Sequence, residues 1–281
     1  MMINLCVIHN NEAPRLEYLR AQIRGLAKAI ETDGISLRLY DVGPEASGMA
    51  GQVPQDSFLN RLKRAWAAAW LFAGYARHDP RRRTDRLRYA RLWFRHFKSI
   101  LFDYLRSIRI EQEVLYAHGH AWKIASRTAL PTIVLESDAI FPEGAIENLV
   151  SLIKWSLPQL EQEYFFADLA GGCSTQEILN SWCFEERFGM RTMQVGAIDI
   201  QILPSLTANT VGGYLMSASL AAEFCRLLQT TKRMVPPDWA VNLFAMHEPA
   251  VAKATCVHTN PTILRQGSAD GTYGSTISER S

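Results

Sequence analysis

Three observations predict an α/β fold in which helices cover both faces of a largely parallel sheet. The chain opens with an apolar run at residues 3–8, a helical pattern and an alternating run at residues 35–40, in the order strand, helix, strand. A second apolar run, residues 131–135, is typical of a strand buried inside a parallel sheet. Of the 281 residues, 48% are hydrophobic, which is enough for one large core. We therefore predict one domain spanning residues 1–281.

The first helix is predicted from its periodicity. Asn11 is a candidate cap for this helix, and the alternating strand comes after the helix. The apolar positions that recur at helical spacing are Leu16, Leu19, Ile23, Leu26 and Ile30. Residues 43–55 contain Pro, Gly and Ser and are predicted to form a loop.

A helical insertion is predicted at about residues 56–110. Helical stretches at residues 58–75 and 87–109 flank an Arg-rich turn at residues 79–83, and a separate helix is predicted at about residues 112–128. Residues 61–109 contain 14 Lys or Arg and 3 Asp or Glu, a net charge of +11. The rest of the chain, with 16 Lys or Arg and 25 Asp or Glu, carries −9. This insertion is therefore suited to anionic partners.

The arginines of the insertion are mixed with aromatic residues, among them Trp93, Phe94 and Phe97. Such a surface fits peripheral contact with an anionic membrane. A solvated helix face or a subunit contact explains the same composition equally well.

The second half of the chain also alternates between helix and strand. A helix is predicted after Pro142. Candidate strands are residues 164–169, 193–203, 211–216 and 251–257, and candidate helices are residues 219–230 and 238–247.

The cysteines, the N-terminus and the apolar segments of the chain predict its cellular compartment. Its five cysteines have no CxxC pair or metal-finger spacing, which fits a reducing compartment. The N-terminus has the pattern of a first strand and not of a signal peptide. Because no segment has about 18 uncharged apolar residues, we expect no membrane span. We predict a cytoplasmic protein, with the inner face of the membrane as a further location.

The acidic motif Glu136-Ser137-Asp138 ends the apolar run at residues 131–135. Ligands of open α/β sheets bind beyond the carboxyl ends of the strands. Carboxylate oxygens at that position favour Mg²⁺ or Mn²⁺, which complete their shells with phosphate oxygens and water. Acidic residues after a strand are also common helix caps and turn formers, so the motif alone does not decide between these roles.

The sequence around this motif resembles the family 25 glycosyltransferases of lipopolysaccharide synthesis. In that family a His-x-x-x-Trp helix precedes an apolar strand ending in Glu-Asp-Asp, as residues 118–122 and 131–138 do here. Further similar segments follow in the family's order: Ile3-Asn4-Leu5 with Pro14-Arg15-Leu16, Thr207 to Ser217 with its Tyr214, Pro236-Pro237-Asp238-Trp239, and Pro261 with Gln266-Gly267-Ser268. Ser137 departs from the family's middle acid, and residues 56–110 cannot be aligned.

The resemblance implies a GT-A-like, Rossmann-type α/β/α sandwich and an inverting transfer from a nucleotide-sugar, most commonly a UDP-sugar such as UDP-galactose. It implies that Glu136 and Asp138 hold Mn²⁺ or Mg²⁺. The residues it assigns to donor binding are Asn4, Arg15, His118, Tyr214 and Gln266. The acceptor implied is a surface glycan such as a glycolipid or polysaccharide.

An inverting transfer needs a base for the acceptor hydroxyl, and Asp238 is our candidate. It follows two prolines and opens a predicted helix, where the family has its second acidic motif. A helix cap is the competing interpretation. Glu185, Glu186 and Asp199 are the rival bases.

Three histidines are candidate ligands. His258 ends the run at residues 251–257, so it is either a third metal ligand or a packed structural residue. His118 and His120 are two residues apart on a predicted helix, point to different faces and cannot form a shared i, i+4 metal site.

Two other classes of function compete with a metal-dependent glycosyltransferase. A nucleotide-sugar-binding protein without catalysis is compatible with Ser137. A nucleic-acid-binding protein would use the Arg-rich insertion, but the chain has no recognition motif for nucleic acid. No P-loop or GxGxxG fingerprint indicates ATP or NAD.

Overall fold

The computed structural model describes residues 1–43, 86–171, 190–203, 205–231 and 236–273, together with Leu59, Leu62, Lys63 and Trp66. Most of the predicted loop and first insertion helix, the Arg-rich turn, Glu185 and Glu186 lie outside these residues.

A mixed eight-stranded sheet forms the centre of the described structure. In chain order the strands are β1 (Met2–Ile8), β2 (Ser36–Val42), β3 (Thr132–Glu136), β4 (Ala139–Ile140), β5 (Phe165–Asp168), β6 (Arg191–Val195), β7 (Ile198–Leu203), β8 (Gly213–Met216), β9 (Thr255–Asn260) and β10 (Arg265–Gln266). The order across the sheet is β2-β1-β3-β8-β5-β9-β7-β6, and β10 pairs separately with β4.

The helices are numbered over the same residues. They are α1 (Ala13–Glu31), α2 (Arg86–Thr128), α3 (Ala145–Gln162), α4 (Ala218–Thr231), α5 (Pro237–His247), α6 (Pro249–Ala252) and α7 (Gly267–Asp270).

Parallel pairing joins β2, β1 and β3 on one side of the sheet and β5 with β9 on the other. Strand β8 lies antiparallel between β3 and β5. The carboxyl ends of β1, β3, β5 and β9 therefore meet at one edge of the sheet. Ile8 of β1 is paired with Glu136 at this edge.

Helices cover both faces of the sheet, which confirms the predicted α/β sandwich. Buried residues of α2, α4 and α5 form one core with the first face, and those of α1 and α3 form a second core with the other face. Each face of the sheet is thus shielded from water by its own helical layer.

Helix α1 follows its predicted pattern but begins differently. All five predicted apolar positions are buried. The N-cap residue is Glu12, and Pro14 occupies the first turn, where its missing N–H is tolerated. Asn11 is therefore not the cap. It has a φ of 63°, a left-handed conformation that Asn tolerates better than most residues.

Helix α2 corrects the prediction of two helices at residues 87–109 and 112–128. The structure has one helix of 43 residues across both segments. Residues 109–112, Arg-Ile-Glu-Gln, contain no glycine or proline to end a helix. Among the described residues, no helix is both long and apolar enough to cross a membrane.

Two predicted strands also differ from the structure. Residues 193–203 form the hairpin β6–β7, because Gly196, with a φ of 61°, reverses the chain. The run at residues 251–257 is divided between the short helix α6 and strand β9.

Candidate functional site

The site lies at the carboxyl ends of β1 and β3. From β1 the chain passes through α1 to β2 on one side, whereas β3 lies on the other side of β1. The two connections cross opposite faces, so the gap between β1 and β3 is a topological switch point, the usual ligand crevice of an open α/β sheet. Glu136 ends β3 at this crevice, and the turn at Ser137 and Asp138 follows it.

Two side chains from distant parts of the chain hold the carboxylate of Glu136. Its Oε1 lies 3.0 Å from Nε2 of His118, and its Oε2 accepts a hydrogen bond of 3.4 Å from Nε2 of Gln266. Burial raises the pKa of Glu136, and the hydrogen bond from His118 opposes this shift. Gly212 allows the approach of Gln266, because a Cβ there would lie 3.3 Å from its Cδ atom.

A buried chain of hydrogen bonds joins His118 to Tyr214 and Trp122. The hydroxyl of Tyr214 accepts a hydrogen bond of 2.8 Å from Nε1 of Trp122 and lies 2.9 Å from Nδ1 of His118. All three side chains are 0% exposed. The spacing of His118 and Trp122, i and i+4 on α2, places both on one helix face above Tyr214.

The donors and acceptors of this chain fix its proton positions. Indole Nε1 only donates, so the hydroxyl of Tyr214 accepts from Trp122 and donates its own hydrogen to Nδ1 of His118. His118 then carries its hydrogen on Nε2 and donates it to Glu136. This is the arrangement in which every group has a partner, so the chain orients the Glu136 carboxylate.

His118 and Tyr214 were predicted to contact the donor, and this geometry corrects that prediction. Both are fully buried, and both ring nitrogens of His118 are bonded within the protein. These two residues instead orient Glu136 from the interior of the protein. Gln266 is half-buried and lies at the crevice itself.

Asp138 is held by the C-terminal segment. Its Oδ2 accepts hydrogen bonds from the backbone N–H, at 3.2 Å, and from the hydroxyl of Ser268. Its backbone carbonyl accepts from the N–H of Gly267 at 2.9 Å. Asp138 is 6% exposed, yet its Oδ1 has no hydrogen-bond partner in the part of the chain that the structure describes. This oxygen is therefore an acceptor of the acidic motif that the described residues leave unused.

Residues 263–273 cross the edge of the sheet, and we call them the C-terminal strap. The strap is fixed by the β10–β4 pairing and by a bond from Leu264 N–H to the Leu169 carbonyl. Near its end the guanidinium of Arg15 lies 4.8 Å from the ring centroid of Tyr273. Arg15 also forms an ion pair of 2.6 Å with Glu12. Arg15 therefore joins α1 to the strap.

Asn4 was predicted to bind the donor, but it lies at the opposite edge of the sheet. Its register partner is Thr132, four residues before Glu136, which is about 13 Å along the strand. Its Nδ2 donates to the hydroxyls of Thr128, at 2.6 Å, and Thr132, at 3.1 Å. Asn4 thus ties the end of α2 to the start of β3.

His258 is not placed to share a metal ion with the acidic motif. Strands β8 and β5 separate β9 from β3, so the strand axes are about 14 Å apart. Its Nε2 instead donates to the Thr207 carbonyl at 2.7 Å, and its register partner is Asp168. The packed, structural interpretation of His258 fits this geometry.

Asp168 is a buried carboxylate that the sequence analysis did not identify. It accepts hydrogen bonds from the backbone N–H of Asn209, at 2.7 Å, and of Ala170, at 3.3 Å. Burial raises the pKa of Asp168, while the charge of His258 and these two bonds oppose the shift. Asp168 thereby anchors the loop before β8.

Asp238 lies in the first turn of α5, with partial exposure, and the N-cap position belongs to Pro236. The cap interpretation is therefore wrong. One helical turn further, Asn242 exchanges two hydrogen bonds with the backbone of Ala208, at 2.8 and 3.0 Å. Asp238 shares that helix face, which is directed at the loop before β8. The rival Asp199 is exposed on β7.

The donor set fits one hard divalent cation of the Mg²⁺ or Mn²⁺ type. Asp138 offers its free Oδ1, and each oxygen of Glu136 accepts one hydrogen bond and keeps a second lone pair. Such ions use one or two protein carboxylates together with phosphate oxygens and water. In the described part of the chain no three His, Cys, Asp or Glu side chains are grouped for a metal.

The sequence alone did not reveal the roles of Trp122, Ser268 and Asp168. The i, i+4 spacing of His118 and Trp122 is the signal that places both on one helix face. Nothing local to Ser268 indicates its bond to a residue 130 positions earlier.

Comparison with known proteins adds no identification: no family model matches the chain, and no curated protein matches its sequence.

Proposed function

We propose that this protein is a metal-dependent inverting glycosyltransferase of the GT-A type that uses a nucleotide-sugar donor. The observation that carries the proposal is Asp138 at the switch-point crevice of the sheet, whose buried Oδ1 has no hydrogen-bond partner among the residues that the structure describes. The sequence resemblance to family 25 glycosyltransferases supports the same function. A UDP-sugar is the proposed donor, and a glycolipid or polysaccharide is the proposed acceptor.

In this proposal Asp138 and Glu136 hold the cation through carboxylate oxygens. A bound Mg²⁺ or Mn²⁺ supplies Lewis-acid stabilisation to the departing nucleoside diphosphate. The hydrogen bonds from His118 and Gln266 keep Glu136 directed at the crevice. Ser268 fixes Asp138 so that its Oδ1 remains open.

The acceptor side needs a carboxylate that takes a proton from the incoming hydroxyl. We assign this role to Asp238. Its partial exposure and its position on the face of α5 that contacts the loop before β8 support the assignment. The basic insertion supports an acceptor at an anionic membrane surface.

The test is release of nucleoside diphosphate from a panel of UDP-, GDP-, CDP- and ADP-sugars, in Mn²⁺ and in chelator. We expect one donor class to be turned over in Mn²⁺ and not in chelator. Asp138→Asn removes a charged ligand from an interaction worth several kcal/mol, so turnover should fall at least about 100-fold. The matched control is Asp33→Asn, since Asp33 forms an exposed ion pair with Lys154.

Full turnover by Asp138→Asn in saturating Mn²⁺ would disprove the metal assignment. Metal-dependent binding of a nucleotide-sugar without any turnover would instead identify a binding protein that lacks catalysis, which the serine at position 137 allows.

A further inference from the structure

Two buried polar atoms that have no hydrogen-bond partner among the described residues lie just beyond the ends of neighbouring strands. One is Oδ1 of Asp138, after β3, and the other is Nε2 of His9, directly after β1. Ile8 and Glu136 are register partners, so the two strands end side by side. The C-terminal strap crosses the same edge of the sheet. A buried polar atom without a partner is rare in folded proteins, and here two of them lie at one edge.

The ring of His9 is held in one orientation. Its backbone N–H donates to the Val42 carbonyl at 3.3 Å, which continues the line of β1. Its Nδ1 accepts a hydrogen bond of 3.2 Å from the backbone N–H of Asn11, whose left-handed conformation forms part of this tight turn. The ring edge packs on Gly43, where an added Cβ would lie 2.9 Å from Cε1.

This orientation determines what His9 can offer a ligand. Because Nδ1 is an acceptor, the neutral imidazole carries its hydrogen on Nε2. Nε2 is therefore a hydrogen-bond donor without an acceptor. A buried donor left in that state costs free energy in the unbound protein. A ligand oxygen that supplies the acceptor would recover this free energy on binding.

We infer that His9 recognises the nucleotide part of the donor, by donating from Nε2–H to one of its oxygen atoms. The inference rests on the proposed function and adds a residue that the family resemblance did not assign. In this arrangement Asp138 contacts the nucleotide through a metal ion from the β3 side, and His9 contacts it directly from the β1 side. Recognition by His9 requires no metal, so the two contacts are separable.

The experiment measures calorimetric affinities for UDP, GDP, CDP and ADP in Mn²⁺, and for inorganic pyrophosphate in Mn²⁺. His9→Phe keeps a ring and removes both nitrogens. We expect it to weaken the best-bound nucleoside diphosphate about tenfold, the effect of losing one hydrogen bond. His9→Gln keeps an N–H donor and should bind more tightly than His9→Phe. His120→Phe, on another face of α2 from His118, is the matched control and should bind as the wild type.

Pyrophosphate identifies which oxygen is bound. An equal loss of pyrophosphate affinity in His9→Phe places the contact at a phosphate oxygen, and unchanged pyrophosphate affinity places it at the nucleoside. Both results support the inference. Wild-type affinity of a folded His9→Phe for every nucleoside diphosphate would overturn it.

A second variant covers the case in which His9→Phe does not fold. Gly43→Ala keeps His9 but displaces its ring, so nucleotide affinity should again fall, and unchanged affinity would overturn the inference. Failure of the proposed function looks different: the wild type would then bind no nucleoside diphosphate. If the wild type binds and Asp138→Asn loses metal-dependent binding, a silent His9→Phe defeats the His9 contact alone.

Discussion

The hydroxyl of Tyr214 can be removed with little change in packing. In Tyr214→Phe the ring still stacks on Phe166 and His118, with centroid distances of 5.3 and 5.7 Å in the wild type. What disappears is the one oxygen that serves both Trp122 and His118. Both residues are 0% exposed, so replacing that oxygen with a water molecule would cost free energy.

The expected loss follows from the groups left without partners. The variant leaves Nε1–H of Trp122 and Nδ1 of His118 buried and unbonded. Each such group costs about 1–3 kcal/mol, so the free energy of unfolding should fall by about 2–6 kcal/mol. The melting temperature should fall by at least about 4 °C, since 1 kcal/mol corresponds to about 2–4 °C in proteins of similar size.

The assay combines thermal unfolding with Mn²⁺-dependent release of nucleoside diphosphate. Turnover should also fall in Tyr214→Phe, because His118 loses the partner that fixes its tautomer and so orients Glu136 less well. Tyr164→Phe is the control, since Tyr164 packs against the same core and its hydroxyl bonds to no described residue. A melting temperature of Tyr214→Phe within about 1 °C of the wild type would refute the role of the hydrogen-bond chain.

Two further predictions concern the other carboxylates. Asp238→Asn should keep the melting temperature and donor binding but lower transfer to acceptor by about 100-fold or more, the usual size of a general-base contribution; near wild-type transfer would exclude Asp238 as the base. For Asp168, a pKa raised by burial means that the folded state holds the proton more tightly than the unfolded state. Stability from this group is therefore full below the unfolded pKa and is lost as the pH rises through the folded pKa. Urea unfolding from pH 4 to 7 should show the wild type losing stability relative to Asp168→Asn as the pH rises; a constant or growing difference would contradict this.

Local periodicity was sufficient to predict much of the sheet and its first helix. The five apolar positions of α1 and the apolar run of β3 are read directly from residue spacing. The hairpin β6–β7 was missed because one glycine, Gly196, decides whether an apolar run continues or reverses. The long helix α2 was predicted as two helices, although residues 109–112 contain no glycine or proline that would end a helix.

The site shows a sharper limit of sequence reasoning. The position of Glu136 and Asp138 at the end of a predicted strand was enough to place them at the edge of the sheet where ligands bind. The partners of these residues come from positions 118, 266 and 268, and spacing cannot reveal contacts over such separations. Nor does a motif distinguish a histidine that faces a ligand from one that is buried behind a carboxylate, which is why His118 was first assigned to the donor.

The C-terminal strap makes the order of synthesis relevant to the site. Glu136 and Asp138 leave the ribosome about 130 residues before Gln266 and Ser268, so a nascent chain can form the central strands before either carboxylate has these partners. Until then Asp138 lacks its hydrogen bonds from Ser268, and Glu136 lacks the one from Gln266. A segment translated much later thus completes the acidic centre, and a chain that ended before residue 263 would keep both carboxylates but lose their hydrogen bonds from Gln266 and Ser268.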